Sequence, residues 1–203
     1  MEFQIRNYFK KTRRKTVDLK PNDITIVVGR NGYGKTSFLR GIQETFKNDP
    51  NTIVIYWSDN EYGRGEGLSK LSWAEDLEGM ASMMFCSEGQ KMMGSVSRFF
   101  IQRIGRAARL AKSEHTAVFI LADQLDSGLD VCLINDIKRV IREVAIPDMN
   151  KKGLTVYCVL SANSYEMVAG EDCLNPVSRK HVRFNTLDEY ATYIYKQYGK
   201  KWR

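Results

Sequence analysis

The run from Gly29 to Ser37 constrains the fold more than any other part of this sequence. It reads Gly-Arg-Asn-Gly-Tyr-Gly-Lys-Thr-Ser and matches the pattern GxxxxGK[ST]. The apolar segment Ile24–Val28 precedes it, and an amphipathic helical pattern follows it. This context predicts a strand, a phosphate-binding loop and a helix, because glycines let the backbone N–H groups face phosphate oxygens and the helix N-terminus adds partial positive charge.

The residue types in this run predict how it would meet a nucleoside triphosphate. The ammonium of Lys35 can reach the β- and γ-phosphates, and the hydroxyl of Thr36 is a candidate ligand of Mg²⁺. A chance glycine-rich turn is the alternative, and the flanking strand and helix patterns argue against it. The loop residues predicted to bind the nucleotide are Gly29, Arg30, Asn31, Gly32, Gly34, Lys35, Thr36 and Ser37.

Apolar runs and helical patterns alternate along the rest of the chain. Helical patterns follow Lys35, Gln90 and Asp130, and several strand patterns are continuously apolar, as in sheets covered on both faces. This alternation predicts an α/β fold with a mostly parallel sheet. The predicted strands are Phe3–Tyr8, Ile24–Val28, Thr52–Tyr56, Ala117–Ala122, Thr155–Leu160 and His181–Phe184.

One of these strand patterns ends in an acidic residue. Ala117–Ala122 is followed by Asp123, which is the Walker B pattern. Many strands end in aspartate, so the pattern gains weight only from its position after a phosphate-binding loop. It predicts that Asp123 holds the Mg²⁺ shell from the neighbouring strand end.

Two further runs resemble those of ATP-binding-cassette ATPases. The run Ser87-Glu88-Gly89-Gln90 resembles their signature motif, and Asp123-Gln124-Leu125-Asp126-Ser127-Gly128-Leu129-Asp130 resembles their Walker B and D-loop run. The opening residues 3–10 are similar to the first strand of the RecF and structural-maintenance-of-chromosomes branch. The resemblance covers about residues 3–163 and none of 175–203.

The resemblance implies a single P-loop NTPase domain over residues 1–203. Its sheet would be mostly parallel and flanked by helices. A small helical subdomain carrying the signature would be inserted at about residues 60–112, and residues 175–203 would form a basic, aromatic C-terminal segment.

The resemblance also implies a homodimer that forms around ATP. Two copies would face each other head to tail, with each ATP between the loop of one copy and the signature of the other. An N-cap followed by a turn is the alternative for the signature run. The catalytic residues would be Lys35, Asp123 and Gln124, the metal ligands Thr36 and Asp123, and the further nucleotide-binding residues Ser87, Gly89, Gln90, Asp130 and Asn163.

Departures from the family pattern predict impaired turnover. Gln124 stands where the family has a glutamate, and an amide cannot take a proton from water. Asp126 or Glu61 are candidates to compensate. Asn163 aligns with the family's histidine and carries no charge. No glutamine lies between Gln43 and Gln90, so the family's Q-loop role would fall to Asp59, Asn60 or Glu61, which are equally well explained as a polar turn.

These features predict a slow ATPase or an ATP-gated clamp acting on DNA or a partner protein. A non-hydrolysing ATP-dependent switch is the first rival, and Gln124 favours it. A small P-loop kinase leaves the signature run and residues 123–130 unexplained. A transporter cassette is a further alternative, disfavoured by the opening strand and the basic charge.

The formal net charge of +7 allows contact with nucleic acid. Arg13, Arg14 and Lys15 are alternative candidates for nucleotide contact. On the helical pattern after the signature, Lys91, Arg98, Arg106 and Arg109 are either phosphate ligands for DNA or a solvated face. The tyrosines at 190, 193, 195 and 198 suit packing of a closing helix on the core better than base stacking or partner contact.

Neither a membrane span nor a secretory signal is recognisable, so the chain is predicted to be soluble and cytoplasmic. The four cysteines, Cys86, Cys132, Cys158 and Cys173, have no metal-binding spacing and are predicted to be buried free thiols.

Overall fold

A six-stranded, mostly parallel sheet organises the molecule. The computed structural model describes residues 1–6, 14–58 and 116–198, together with the single positions 105, 109 and 111. The strands of the sheet are β3 (Asp23–Val27), β4 (Thr52–Ser58), β5 (Ala117–Asp123), β6 (Thr155–Ser161), β7 (Asp172–Leu174) and β8 (His181–Val182). Their spatial order is β4-β5-β6-β3-β7-β8, and β8 alone among these strands runs antiparallel to its neighbour.

Helices and a small second sheet cover the two faces of this sheet. The helices of the described residues are α1 (Lys35–Phe46), α2 (Val131–Val140), α3 (Ile146–Asn150), α4 (Tyr165–Val168) and α5 (Leu187–Tyr198), and a π-helical turn at residues 141–145 joins α2 to α3. Strands β1 (Glu2–Arg6) and β2 (Arg14–Asp18) form a separate antiparallel pair.

The core lies in two apolar clusters, one on each face of the sheet. Alternate strand residues point to opposite faces, so Val27 joins the cluster with α1 and the β1–β2 pair, whereas Ile26 joins the cluster with α2 to α5. Both faces are therefore buried, which explains why the central strands are continuously apolar in sequence. The predicted α/β fold with a mostly parallel sheet is confirmed.

Two short strands escaped the sequence patterns. Strand β2 contains Arg14, Lys15 and Asp18, because it pairs only with β1 and leaves one face exposed. Strand β7 has three residues, too few to show a period. The six predicted strands are present in the described residues, with bounds shifted by up to two residues where both ends are described.

The neighbour relationship predicted for the Walker B strand is wrong. Strand β6 lies between β3 and β5, so Asp123 ends a strand two positions away from the strand that leads into the glycine-rich loop. The sequence order of β3, β5 and β6 carries no signal for this insertion, because parallel strands are joined by crossovers that can skip a position.

Cys158 and Cys173 are buried free thiols, as predicted. Burial raises the pKa of both, that of Cys173 to about 12, so neither is a reactive thiolate near neutral pH. The prediction is wrong for Cys132, which is exposed near the start of α2, and Cys86 lies outside the described residues. Across the described ranges, no helix combines the length and apolar character needed to cross a bilayer.

Candidate functional site

The glycine-rich loop joins the buried end of β3 to the first turn of α1. Gly34 occupies the N-cap position in a left-handed conformation with φ 92° and, having no side chain, cannot cap the helix. At Gly29, an added Cβ would lie 2.6 Å from Cδ1 of Tyr33, so the loop closes only around glycine. The first N–H groups of α1 are therefore left for an external acceptor. A loop of this kind between a parallel strand and a helix is that of an α/β P-loop NTPase fold.

The ammonium of Lys35 is folded back onto the loop. Its Nζ donates hydrogen bonds to the carbonyl oxygens of Gly29 at 2.6 Å and of Arg30 at 3.4 Å, and the residue is 5% exposed. Burial lowers the pKa of Lys35, while the carboxylates of Asp126 and Asp123 oppose this shift. A buried cation held mainly by neutral carbonyls is a ready partner for an anion in the loop.

Asp123 is held by a short relay across two strand ends. The hydroxyl of Ser161, the last residue of β6, donates to Oδ1 of Asp123 at 2.5 Å and accepts the N–H of Gln124 at 2.8 Å. Ser161 is fully buried and was not among the predicted site residues. The sequence feature that could have pointed to Ser161 is its hydroxyl at the end of a continuously apolar strand, on the edge of the sheet where the glycine-rich loop lies.

Gln124 follows Asp123 with a left-handed backbone, at φ 56°. A non-glycine residue in this region carries backbone strain that its surroundings must offset. Here the bond from its N–H to Ser161 fixes the conformation. The side chain of Gln124 is thus attached to a firmly placed backbone.

Asp126, in the turn after β5, lies close to Asp123 and Lys35. Its Oδ2 accepts the N–H groups of Asn163 at 2.7 Å and Ser164 at 2.6 Å, so one carboxylate oxygen anchors the loop after β6. The other oxygen, Oδ1, is buried without a hydrogen-bond partner among the described residues. An unpaired buried carboxylate oxygen beside a lysine suits a water molecule or a metal-bound water.

Asn163 exposes its side chain and uses its backbone for contacts. Its carbonyl oxygen accepts the hydroxyl of Tyr190 in α5 at 2.9 Å. The residue therefore sits between the Asp126 carboxylate and the C-terminal helix, with its amide side chain left for other contacts.

The remaining predicted residues are distributed unevenly around this centre. Asn31, Gly32 and Thr36 are exposed, and Ser37 is partly buried. Asp130 is exposed and caps α2, with its Oδ1 accepting the N–H of Leu133 at 2.9 Å. This cap gives Asp130 a structural task that the sequence prediction did not include. Ser87, Gly89, Gln90, Asp59, Asn60 and Glu61 lie outside the described residues.

Helix α5 also reaches the loop directly. The N–H of Arg30 donates to Oε1 of Gln197 at 2.9 Å, and the guanidinium carbon of Arg30 lies 5.1 Å from the ring centroid of Tyr198. Tyr190 is buried, whereas Tyr195 and Tyr198 are exposed, so the predicted packing of the closing helix is right for only part of its tyrosines.

The donor set of this centre fits a magnesium-bound nucleoside triphosphate. Mg²⁺ in phosphate-transfer sites takes one or two protein oxygens together with phosphate oxygens and water. The exposed hydroxyl of Thr36 and the buried carboxylate of Asp123 are oxygens of this kind, and the uncapped start of α1 with Lys35 suits the phosphates.

Three solved ATP-binding cassettes are similar to this chain at low identity. A nucleotide-free cassette from an ABC transporter has a TM-score of 0.47 and 12% identity, covering 97% of this chain and 96% of its own. CbiO1 from Clostridium perfringens, part of the ABC transporter complex cbiONQ, has a TM-score of 0.45 and 10% identity over 96% and 92%. The ATP-binding subunit of an ABC transporter gives 0.40 and 14% over 98% and 94%.

Neither a protein-family model nor a curated protein matches the sequence.

Proposed function

We propose that this chain binds Mg-ATP in the glycine-rich loop, dimerises around it and hydrolyses it slowly, acting as an ATP-gated clamp or switch on DNA or a partner protein. The observation that carries the proposal is the buried ammonium of Lys35, bonded to loop carbonyls and flanked by the carboxylates of Asp123 and Asp126. A buried ammonium in this position is stabilised most when an anion enters the loop.

Each residue has a physical role in this proposal. Lys35 exchanges its carbonyl contacts for phosphate oxygens, and the free N–H groups at the start of α1 bind the same anion. Asp123, oriented by Ser161, holds the metal shell together with Thr36. Mg²⁺ supplies charge neutralisation on the phosphates.

Gln124 sets the proposed rate. Its amide can hold a water molecule by hydrogen bonds but cannot accept the proton that the attacking water must lose. The unpaired Oδ1 of Asp126 is a candidate for orienting that water, although Oδ2 is already engaged by two N–H groups. Hydrolysis therefore proceeds slowly, and the ATP-bound dimer persists.

Dimerisation would complete the site in trans. Ser87, Gly89 and Gln90 of a second copy would meet the γ-phosphate, and Asp130 and Asn163 would lie at the same junction. The exposure of Asn31, Gly32, Asp130 and the Asn163 side chain supports a partner approaching this edge. The proposed action on DNA or a partner protein is supported by the net charge of +7 and by the exposed Arg109.

Light scattering with and without Mg-ATP tests the proposal on the wild type and on Gln124→Glu, with phosphate release followed in parallel. We expect the wild type to form a lasting dimer, and Gln124→Glu to dimerise transiently and release phosphate at least about tenfold faster. Lys35→Met is the control that should lose both responses. A wild type that binds ATP and stays monomeric would contradict the head-to-tail dimer.

A non-hydrolysing switch is the second candidate, and Gln124 is the residue that favours it. Multiple-turnover phosphate release separates the two. If the wild type dimerises on ATP but releases no phosphate above the background of Lys35→Met, ATP binding alone is the signal and the switch hypothesis is the right one.

A further inference from the structure

The turn between β7 and β8 lies beside the glycine-rich loop. Strand β7 runs parallel to β3, with Leu174 in register with Val27. The N–H of Val28 donates to the carbonyl of Leu174 at 3.0 Å, so the segments that follow β3 and β7 leave the sheet side by side. Residues 175–180 therefore stand at the carboxyl edge of the sheet, on the side of β3 opposite to β6 and β5.

Asn175 gives this turn a fixed shape. Its Oδ1 accepts the N–H groups of Val177 and Ser178, both at 2.9 Å, and its carbonyl accepts the N–H of Arg179 at 2.9 Å. Its Nδ2 donates to the hydroxyl of Tyr193 in α5 at 2.5 Å. These bonds hold Arg179 in a left-handed conformation with φ 63°, which costs energy for a residue with a long side chain.

The guanidinium of Arg179 lies near the start of α1. Its carbon lies 4.3 Å from the ring centroid of Phe38, one turn after Lys35. Nε and Nη1 are both buried and make no hydrogen bond to any residue that the structure describes. Burial lowers the pKa of Arg179 to about 10. A partly buried guanidinium with two buried, unbonded nitrogens on a strained backbone is costly unless an anion completes it.

The proposed Mg²⁺ ligands fix which part of a nucleotide would lie near Arg179. Thr36 is the second residue of α1, and Asp123 ends β5 on the β6 side of β3, so the metal and the γ-phosphate lie toward β5. The other end of the polyphosphate must then point toward β7 and the turn at residues 175–180.

We propose that Arg179 binds the α-phosphate of the nucleotide through Nε and Nη1, with its guanidinium plane supported by Phe38. This inference rests on the proposed function, because it assigns a ligand residue to the same nucleotide site. It places a binding residue in the C-terminal part of the chain, where the sequence resemblance gave none.

Equilibrium titration with ATP and with ADP tests this assignment in the wild type, in Arg179→Met and in the control Lys180→Met. Lys180 is exposed in the same turn, and its substitution removes the same charge. Because ATP and ADP share the α-phosphate, Arg179→Met should weaken both by the same factor, about tenfold or more, as expected for hydrogen bonds to a charged group. Lys180→Met should leave both affinities within about twofold of the wild type.

Two further variants guard against an effect on folding. Arg179→Gly removes the side chain and also relieves the left-handed backbone, so it should fold and show the same loss as Arg179→Met. Arg179→Lys keeps the charge without the planar fork and should recover part of the affinity. Thermal melting of each variant without nucleotide checks that the fold is retained.

The outcomes separate this inference from the proposed function. If the wild type binds neither nucleotide, the proposed function fails. If the wild type binds both and neither Arg179→Met nor Arg179→Gly changes the affinities, Arg179 is not a ligand and the proposed function stands. A loss confined to ATP would place Arg179 at the γ-phosphate and overturn the assignment.

Discussion

The backbone N–H of Arg30 donates a 2.9 Å hydrogen bond to the side-chain oxygen of Gln197, which lies 167 residues further along the chain. This bond joins the glycine-rich loop to the last turn of α5. Tyr190, two turns earlier in the same helix, bonds the carbonyl of Asn163. Helix α5 therefore contacts two of the segments that surround Lys35, and both contacts use backbone atoms of the site.

Substitution of Gln197 should weaken nucleotide binding. Gln197→Leu leaves the Arg30 N–H without its acceptor, and one hydrogen bond of about 1 kcal/mol corresponds to about a fivefold loss of ATP affinity. Gln197→Glu keeps an oxygen acceptor and should bind ATP more tightly than the leucine variant. Calorimetric titration measures both, with the exposed Lys196→Gln as control. Equal affinities for the leucine and glutamate variants would show that the acceptor is irrelevant.

Removal of the Ser161 hydroxyl should cost both stability and metal-dependent binding. Ser161→Ala leaves the N–H of Gln124 without its acceptor and Asp123 without its donor, which should lower the free energy of unfolding by about 1–3 kcal/mol. It should also reduce the gain in ATP affinity that Mg²⁺ provides. Urea unfolding and titrations with and without Mg²⁺ give the two readouts. Ser161→Thr retains a hydroxyl and should recover much of both, whereas an alanine variant as stable as the wild type would argue against the relay.

Tyr190→Phe should destabilise the protein near pH 8 and do so less at high pH. At about pH 8 the variant loses the bond to Asn163, about 1 kcal/mol. Burial raises the pKa of Tyr190 in the folded state. Above about pH 10 the phenol therefore ionises in the unfolded chain but stays protonated in the folded protein, and the wild type loses stability as pH rises. Phenylalanine has no such proton, so the stability deficit of Tyr190→Phe relative to the wild type should shrink above about pH 10.

Urea unfolding at the two pH values measures the difference, and Tyr195→Phe is the control. Tyr195 is 74% exposed and should show no comparable change with pH. A deficit for Tyr190→Phe that stays constant across this range would mean that Tyr190 does not ionise differently in the two states.

The sequence predicted those features that local pattern encodes. The continuously apolar strands reflect burial on both faces of the sheet. The glycine-rich run predicted a strand, a loop and a helix because few residues other than glycine adopt the backbone conformation of this loop. Ser161 and Gln197 escaped prediction for a physical reason. Their roles depend on which segments meet in space, and nothing in the local pattern around Gln197 refers to a loop 167 residues earlier. The order of β3, β6 and β5 was missed for the same reason.

The left-handed turn at Gln124 limits what substitution can do at this position. Its backbone is set by the bond to Ser161 and by the end of β5, independently of which side chain it carries. A change from amide to carboxylate would therefore alter the chemistry of the site without moving it. Under the proposed function, the rate of hydrolysis would therefore depend on whether an amide or a carboxylate stands at this position, with the backbone unchanged.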